Sequence, residues 1–371
     1  MIKFIFFGRI TQEKWINQIM EVFSRLYKEW ITNWHIDIYW DWPLLHQCKI
    51  WSHSLPLNTH IHGRSNQQTI IQSLRTMHYA LMPSVVIESF GMSALESLIA
   101  GVTVIWTKLW GLEQFIEEEY DTNIYDIYTI IKKVIMDFSQ EKRRKESKIA
   151  HEKAGIYSQQ KRLEKVKNIG DIKEVFLVSD YITRIGWIES MLFNMKRLLE
   201  ENWSRVFMYW WKLRKNKRVW LWRKIGLFST SYNWSNHIAL RIWIQKYKPT
   251  LIRLHSVNRY LWWFPITALL KSPKTQILCS IHDLGMFHPF GADVWSIKDI
   301  PEFSLTGFTS VTKNPLKKIL IWFKFISLLL LKKQLIKKVD IWIVPSNFMI
   351  DIVHQKRQIP LRKIIVLPHF I

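Results

Sequence analysis

The sequence predicts an α/β protein of two parallel-sheet domains, and three observations carry that expectation. Short apolar strands alternate with amphipathic helices through residue 105, a charged and glycine-poor stretch interrupts them at 138–168, and the alternation resumes at residue 174. Strands that alternate with helices read as βαβ units, which place a parallel sheet between helical layers. A chain of 371 residues suits two domains, and 48% apolar residues suffice for two cores. The expected division is a first domain over 1–150, a tail helix and linker over 151–171, and a second domain over 172–371.

In the first domain, strands are predicted at 3–7, 36–39, 60–63, 80–83 and 102–105, with helices near 12–30, 68–77 and 92–100. The opening run Phe4-Ile5-Phe6-Phe7 meets Gly8-Arg9 and is too short for a signal-peptide core, so it reads as a strand. Residues 138–168, with Lys142-Arg143-Arg144-Lys145, read as a solvated terminal helix and linker. In the second domain, strands are predicted at 174–179, 205–209, 250–255, 276–283, 339–346 and 364–368, with a helix near 187–201 and a basic stretch at 212–224. The longest apolar run, 319–331, is broken by Lys324 and flanked by lysines. It falls short of a membrane span and reads as a core helix or as an interfacial helix on an anionic leaflet. No short-period repeat is present.

Composition narrows the function classes. The net charge of +23 favours anionic partners: nucleic acid, acidic lipid or a phosphorylated substrate. Dispersed lysines, without aromatics clustered among them, disfavour nucleic acid. Cys48 and Cys279 form no disulfide or metal pattern and fit a reducing, cytoplasmic setting. There are 12 Gly and 21 Trp, where average usage would give roughly 26 Gly. Tryptophan stands at turns that glycine alone makes freely, as in Tyr39-Trp40-Asp41-Trp42-Pro43, Lys14-Trp15, Trp110-Gly111, Gly186-Trp187 and Asn202-Trp203. The pattern reads either as UGA codons that mean glycine in the source, written here as tryptophan, or as a tryptophan-rich protein.

Ligands of an open parallel sheet bind where strands end and helices begin. Gly8-Arg9 lies at such an exit with Lys14 five residues on, two cations suited to a diphosphate. In Pro83–Glu96 a strand gives way to a helix near Gly91, so the amides of Ser89, Phe90 and Gly91 face an oxyanion, and Glu96 faces the same crevice to accept from a ribose. The same residues also read as a Glu88 that merely favours the helix dipole and an exposed Glu96. His282-Asp283 at a strand end reads either as a satisfied pair or as a catalytic one. His60 and His62 alternate on a strand, but two ligands without a third make a poor metal site. With no Asp-x-Asp pair either, no metal and no other cofactor is expected.

The motifs GR-x4-K, a YGDGP-like turn with Trp40 and Trp42 read as glycine, and PSVVIESFGMSALES followed by AGVTVI resemble the nucleotide-sugar domain of the family 4 glycosyltransferases, over about residues 3–160. That resemblance implies a retaining, metal-independent transferase of the GT-B type, built from two Rossmann-like domains. It implies that Arg9 and Lys14 hold the donor diphosphate beside Gly8, that Glu88 lies by the sugar as a catalytic residue, and that Glu96 binds the ribose. Residues 172–371 resemble the acceptor domain: EVFLVSDYITRIGWIES with Gly186 and Trp187 for a Gly-Gly pair, KPTLIRLH ending at His255, ILCSIHD placing His282 at the reaction centre, then VDIWIVPS and KIIVLPH. The family runs acceptor domain first, whereas this chain has the reversed order, as a circular permutant or as two joined halves would. The implied partners are a nucleotide sugar and a saccharide or lipid-linked acceptor of cell-envelope polysaccharide type. The implied location is the cytoplasm, peripherally on the inner membrane face. The rival classes are a non-catalytic pair of transferase halves and, more remotely, a basic nucleic-acid-binding protein.

Overall fold

Strand β1, Ile2–Phe7, is apolar at almost every position because helices cover both faces of the sheet it centres. In the computed structural model the described residues are 1–8, 16–39, 44–55, 58–82, 88–122, 125–158, 161, 164, 174–179, 187–202, 205–210, 234–255, 263–269, 275–282, 304–310 and 312–369. They divide into two compact units, Met1–Lys161 and Arg162–Ile371.

The first unit follows β1 with α1 (Ile16–Lys28), β2 (Trp34–Tyr39), α2 (Leu45–Ser54), β3 (Thr59–Gly63), α3 (Gln67–Leu74), β4 (Tyr79–Leu81), α4 (Met92–Ile99), β5 (Thr103–Ile105), α5 (Ile127–Met136) and α6 (Gln140–Gly155). Its five strands are parallel in the order β3-β2-β1-β4-β5. Helix α1 buries Ile16, Ile19, Val22, Phe23 and Leu26, one stripe at helical spacing, and Phe23 meets Phe4 edge-on at 5.3 Å and Trp34 at 4.7 Å. The helix stops in a Schellman turn, with the Trp30 amide on the Tyr27 carbonyl at 3.1 Å and the Ile31 amide on Leu26 at 2.9 Å. Trp30 occupies the left-handed position of that turn at φ 61° with its indole 90% exposed, and Trp110 adopts φ 57°. Both are conformations that glycine supplies without strain.

Helix α6 departs from the solvated helix expected at 138–168. Its outer face carries ion pairs such as Lys145–Glu141, but Glu146, Ala150 and Ala154 are buried, and the helix packs on α4. Glu146 accepts from the Tyr79 hydroxyl at 2.7 Å and the Tyr120 hydroxyl at 2.5 Å, so a buried carboxylate ties α6 to the sheet. The charge count of 138–168 hides this, because the helix needs only a narrow stripe of small residues and one acid to dock.

The second unit comprises β6 (Glu174–Ser179), α7 (Trp187–Asn202), β7 (Arg205–Trp210), α8 (Trp234–Tyr247), β8 (Leu251–His255), α9 (Trp263–Leu269), β9 (Gln276–Ser280), α10 (Leu305–Ser310), α11 (Pro315–Lys338), β10 (Ile341–Val344), α12 (Asn347–Asp351) and β11 (Ile364–Val366). Six parallel strands run β11-β10-β9-β8-β6-β7. Val175, Leu177, Leu198, Leu251, Leu278 and Ile343 form part of its core. Arg253 is buried in β8, donates to Ser280 Oγ at 3.0 Å, and is pushed by burial down to about 9.

Helix α11 starts with Asn314 accepting from the Lys317 amide and Pro315 in its first turn. The apolar run 319–331 lies inside it. Ile321, Leu328, Leu331 and Leu335 are buried, while Leu316, Ile319, Trp322, Ile326 and Leu330 are exposed along the other side. At 100° per residue the exposed set spans about 120° of the helix. No helix among the described residues is long and apolar enough to cross a membrane.

Candidate functional site

The first cluster stands where β1 and β4 part company, the switch point at which the strand order reverses. Gly8 follows β1 at φ 148°, and Gly91 precedes α4 at φ 87°, so both ends of the crevice use backbone that favours glycine. Gly8, Glu88, Gly91, Met92, Ser93 and Trp106 are among the residues lining a pocket of about 330 Å³ there.

The loop carrying Glu88 is clamped from behind. The Gly111 amide donates to the Glu88 carbonyl at 2.9 Å, and a Cβ at Gly111 would lie 2.3 Å from the Ser89 carbonyl oxygen. A Cβ at Gly91 would meet Leu112 Cδ2 at 2.1 Å. The Phe90 ring is buried, edge-on to Phe115 at 5.2 Å and to Tyr157 at 5.7 Å. Phe90 therefore anchors the loop from the core side, and its side chain is not a ligand-facing group.

Glu96 lies one helical stretch further along α4. Gln67, the first residue of α3, donates to its Oε1 at 2.9 Å. Burial raises the Glu96 carboxyl above its ordinary value against the opposing pull of that hydrogen bond. Glu96 is thus neither fully exposed nor without a partner, and Gln67 joins it from a helix whose relevance no sequence signal marks. The structure brings Gly8, Glu88 and Gly91 to one pocket, with Ser89 and Phe90 in its loop. Arg9 and Lys14 lie outside the described residues.

The second cluster belongs to the other unit. β8 ends on His255, and β9 is followed by Ile281 and His282. His255 Nδ1 and His282 Nε2 are 2.7 Å apart, their rings within 9° of parallel and both buried. One ring donates the shared proton and the other accepts it, so the tautomers of the two rings are coupled. The ring of His369, beyond β11, lies 5.2 Å from that of His282. Three imidazoles thus stand together at the carboxyl ends of β8, β9 and β11, the position that a parallel sheet reserves for ligands. His369 closes the KIIVLPH segment, and only the sheet order reveals that it joins the other two. Gly186 lies outside the described residues, and Trp187 is described only as the first residue of α7.

Comparison with known proteins follows the same division. Both halves of the chain match glycosyltransferase families. Residues 2–153 match the family described as glycosyl transferases group 1, and residues 212–371 match glycosyltransferase family 4. No curated protein matches the chain. Among solved structures, the pneumococcal O-GlcNAc transferase GtfA with UDP and GlcNAc is similar at 18% identity and a TM-score of 0.38, over 45% of this chain and 35% of that one. TarM of S. aureus, in complex with fondaparinux, α-GlcNAc-glycerol and UDP, is similar at 20% identity and a TM-score of 0.38, over 45% and 35%. The catalytic domain of cholesterol-α-glucosyltransferase from Helicobacter pylori gives 18% and 0.35, over 42% of this chain and 99% of that one. The match thus spans about a third of the length of GtfA or TarM.

Proposed function

We propose that this protein moves a sugar from a nucleotide-diphosphate donor to an acceptor hydroxyl, with retention at the anomeric carbon and without a metal in the transfer step. The observation that carries the reading is the convergence of Gly8, Glu88 and Gly91 on one pocket, at the switch point of the unit that matches glycosyl transferases group 1. In this reading the two glycines leave room for the diphosphate, and the start of α4 faces its oxygens. Glu88 orients the sugar, while Glu96, steadied by Gln67, accepts from the ribose. Arg9 and Lys14 neutralise the charge that grows on the departing diphosphate. The acceptor binds the other unit, at the hydrogen-bonded pair His255 and His282, with His282 as its catalytic group.

Calorimetry of the full chain with UDP, GDP and ADP tests the donor half. Binding of at least one of them, weakened by Glu88→Ala and Glu96→Ala, is the expected result. A folded protein that binds none of the three sinks the enzyme reading and favours a non-catalytic pair of halves. The anomeric configuration of the product, read by NMR, tests retention.

Three finer readings go with this one. The order of the two family matches supports a donor-type domain preceding an acceptor-type domain, in a GT-B pair of reversed order. The exposed apolar stripe of α11, with Lys317, Lys318, Lys333 and Lys337 also exposed, supports attachment to an anionic membrane surface and hence a lipid-linked acceptor. Retention of the protein on anionic but not zwitterionic vesicles at low salt is the expected result. The left-handed backbone at Trp30 and Trp110 supports glycine as the residue of the natural protein there. Peptide masses of the natural protein decide that point.

A further inference from the structure

A second polar cluster lies on β2 and β3 and shares no residue with the Glu88 pocket. Residues two apart on a strand face the same side, so His35 and Asp37 form one pair and His60 and His62 another. The parallel register sets Asp37 beside His60 and thereby merges the pairs. Three imidazole nitrogens then converge on a single carboxylate oxygen. From Asp37 Oδ1, His62 Nε2 is 2.8 Å away, His35 Nε2 3.1 Å and His60 Nδ1 3.7 Å.

These distances have a plain chemical reading. Ligands placed tetrahedrally at about 2.0–2.1 Å from a zinc-class ion are about 3.3–3.4 Å from one another, and the Asp37–His35 and Asp37–His60 separations fall on either side of that value. The ligand atoms of His35, Asp37 and His60 all lie within 4.8 Å of one another. The set is also supported from outside: His62 Nε2 is hydrogen-bonded to Asp37 Oδ1, and Tyr39 stacks on the His62 ring at 4.2 Å, with planes 2° apart, and is itself tied to Ser73 Oγ at 2.7 Å. An outer group that fixes the orientation of a ligand is a usual accompaniment of a metal site. The two inner ligands, His35 and Asp37, are buried, whereas the His60 side chain is 60% exposed and gives an ion a way in.

From this geometry we infer that His35, Asp37 and His60 form a binding site for one divalent transition-metal ion of the zinc class, with His62 held beside it on the Asp37 carboxylate. Two neutral imidazoles and a carboxylate suit Zn²⁺ or Co²⁺ better than Mg²⁺ or Ca²⁺, which take oxygen ligands. Each ring turns a lone pair to the ion and keeps its proton on the opposite nitrogen. Three protein ligands leave the fourth tetrahedral position to water. The effect of the ion is to pin β3, the edge strand of the sheet, to β2.

The test uses the chelator-stripped full chain, dialysed against Zn²⁺ for metal analysis and titrated with Co²⁺ for its visible absorption. One equivalent of zinc, intense tetrahedral cobalt bands and a zinc-dependent rise in melting temperature are the expected results. The variant His60→Asn changes only the exposed ligand and should keep the metal-free circular dichroism and melting temperature. It should lose at least about tenfold in zinc affinity, together with the cobalt bands and the zinc-dependent rise. A wild-type chain that holds less than a tenth of an equivalent overturns the inference. So does a variant that binds zinc as the wild type does, since the ion would then sit elsewhere.

Discussion

The Glu88 turn and the His255–His282 row occupy the same kind of place, the carboxyl ends of parallel strands, yet they are built by opposite means. The first is made of backbone: two glycines with positive φ, and a third, Gly111, whose missing Cβ lets the turn at 110–112 lie against Ser89. The second is made of side chains, a hydrogen-bonded pair of imidazoles with a third ring against one of them. The difference teaches where each is vulnerable. A backbone-built site fails when any bulk is added behind it, whereas a side-chain site fails only when its own groups are changed.

The largest expected effect tests the side-chain half. His282→Gln keeps the volume and one hydrogen bond but removes the titratable ring, and it should slow transfer on the order of 10²-fold. Nucleotide affinity, measured by calorimetry, should stay within about twofold, since the donor residues lie in the other unit. A variant that transfers sugar at the wild-type rate would erase the contrast.

Gly111→Ala tests the backbone half. The added methyl meets the Ser89 carbonyl and the Phe90 nitrogen, main-chain atoms that cannot step aside cheaply. A loss of about 2–3 kcal/mol in denaturant unfolding is expected, with a fall in nucleotide affinity. Unchanged stability would mean that the loop behind Glu88 is softer than its packing implies.

A third measurement sharpens the comparison by asking what happens when a side chain does the work of backbone. His78 Nδ1 accepts from the Lys3 amide at 3.0 Å, and burial, then the nearby Arg143, pushes its imidazole from 6.5 down to about 4. Between those values the unfolded chain binds the proton and the native one does not, so stability is full above about pH 6.5 and falls as the pH drops toward 4. The fall should be on the order of 2 kcal/mol, and His78→Gln, which can still accept, should flatten it. A variant with the same acid limb would assign the loss to other groups.

The smallest effect concerns Trp30. Its left-handed backbone costs an L-residue about 1–2 kcal/mol, and its exposed indole offers little packing in return. Trp30→Gly should therefore raise stability by about 0.5–1 kcal/mol once the greater freedom of glycine in the unfolded chain is subtracted. Destabilisation on this change would show that the indole packs in a way its exposure does not reveal.

Legibility in the sequence follows the same line between backbone and side chain. The central strands were readable because buried parallel strands are uniformly apolar, as in IKFIFF and EVFLVS, and the expected spans agree with the observed ones to within two residues at β1, β6 and β7. Helix α2 escapes the alternation because it buries only Cys48 and carries no capping side chain. Helix α5 escapes it too, although Asp126 accepts from the Tyr128 and Thr129 amides and is a legible start signal. Glu88 and Gly91 could be found from a strand, a loop and a helix in sequence. Gln67 beside Glu96, His369 beside His282, and His35 with Asp37 beside His60 could not, because each juxtaposition depends on strand order or register.

The ring of Tyr157 rests against both Phe90 and Phe115, only four residues before the first unit ends at Lys161. A tug on the polypeptide where it leaves this unit is therefore delivered, through one aromatic contact, to the back of the turn that presents Glu88. Glu88 and the exit of the chain are in this way joined in series through packed rings.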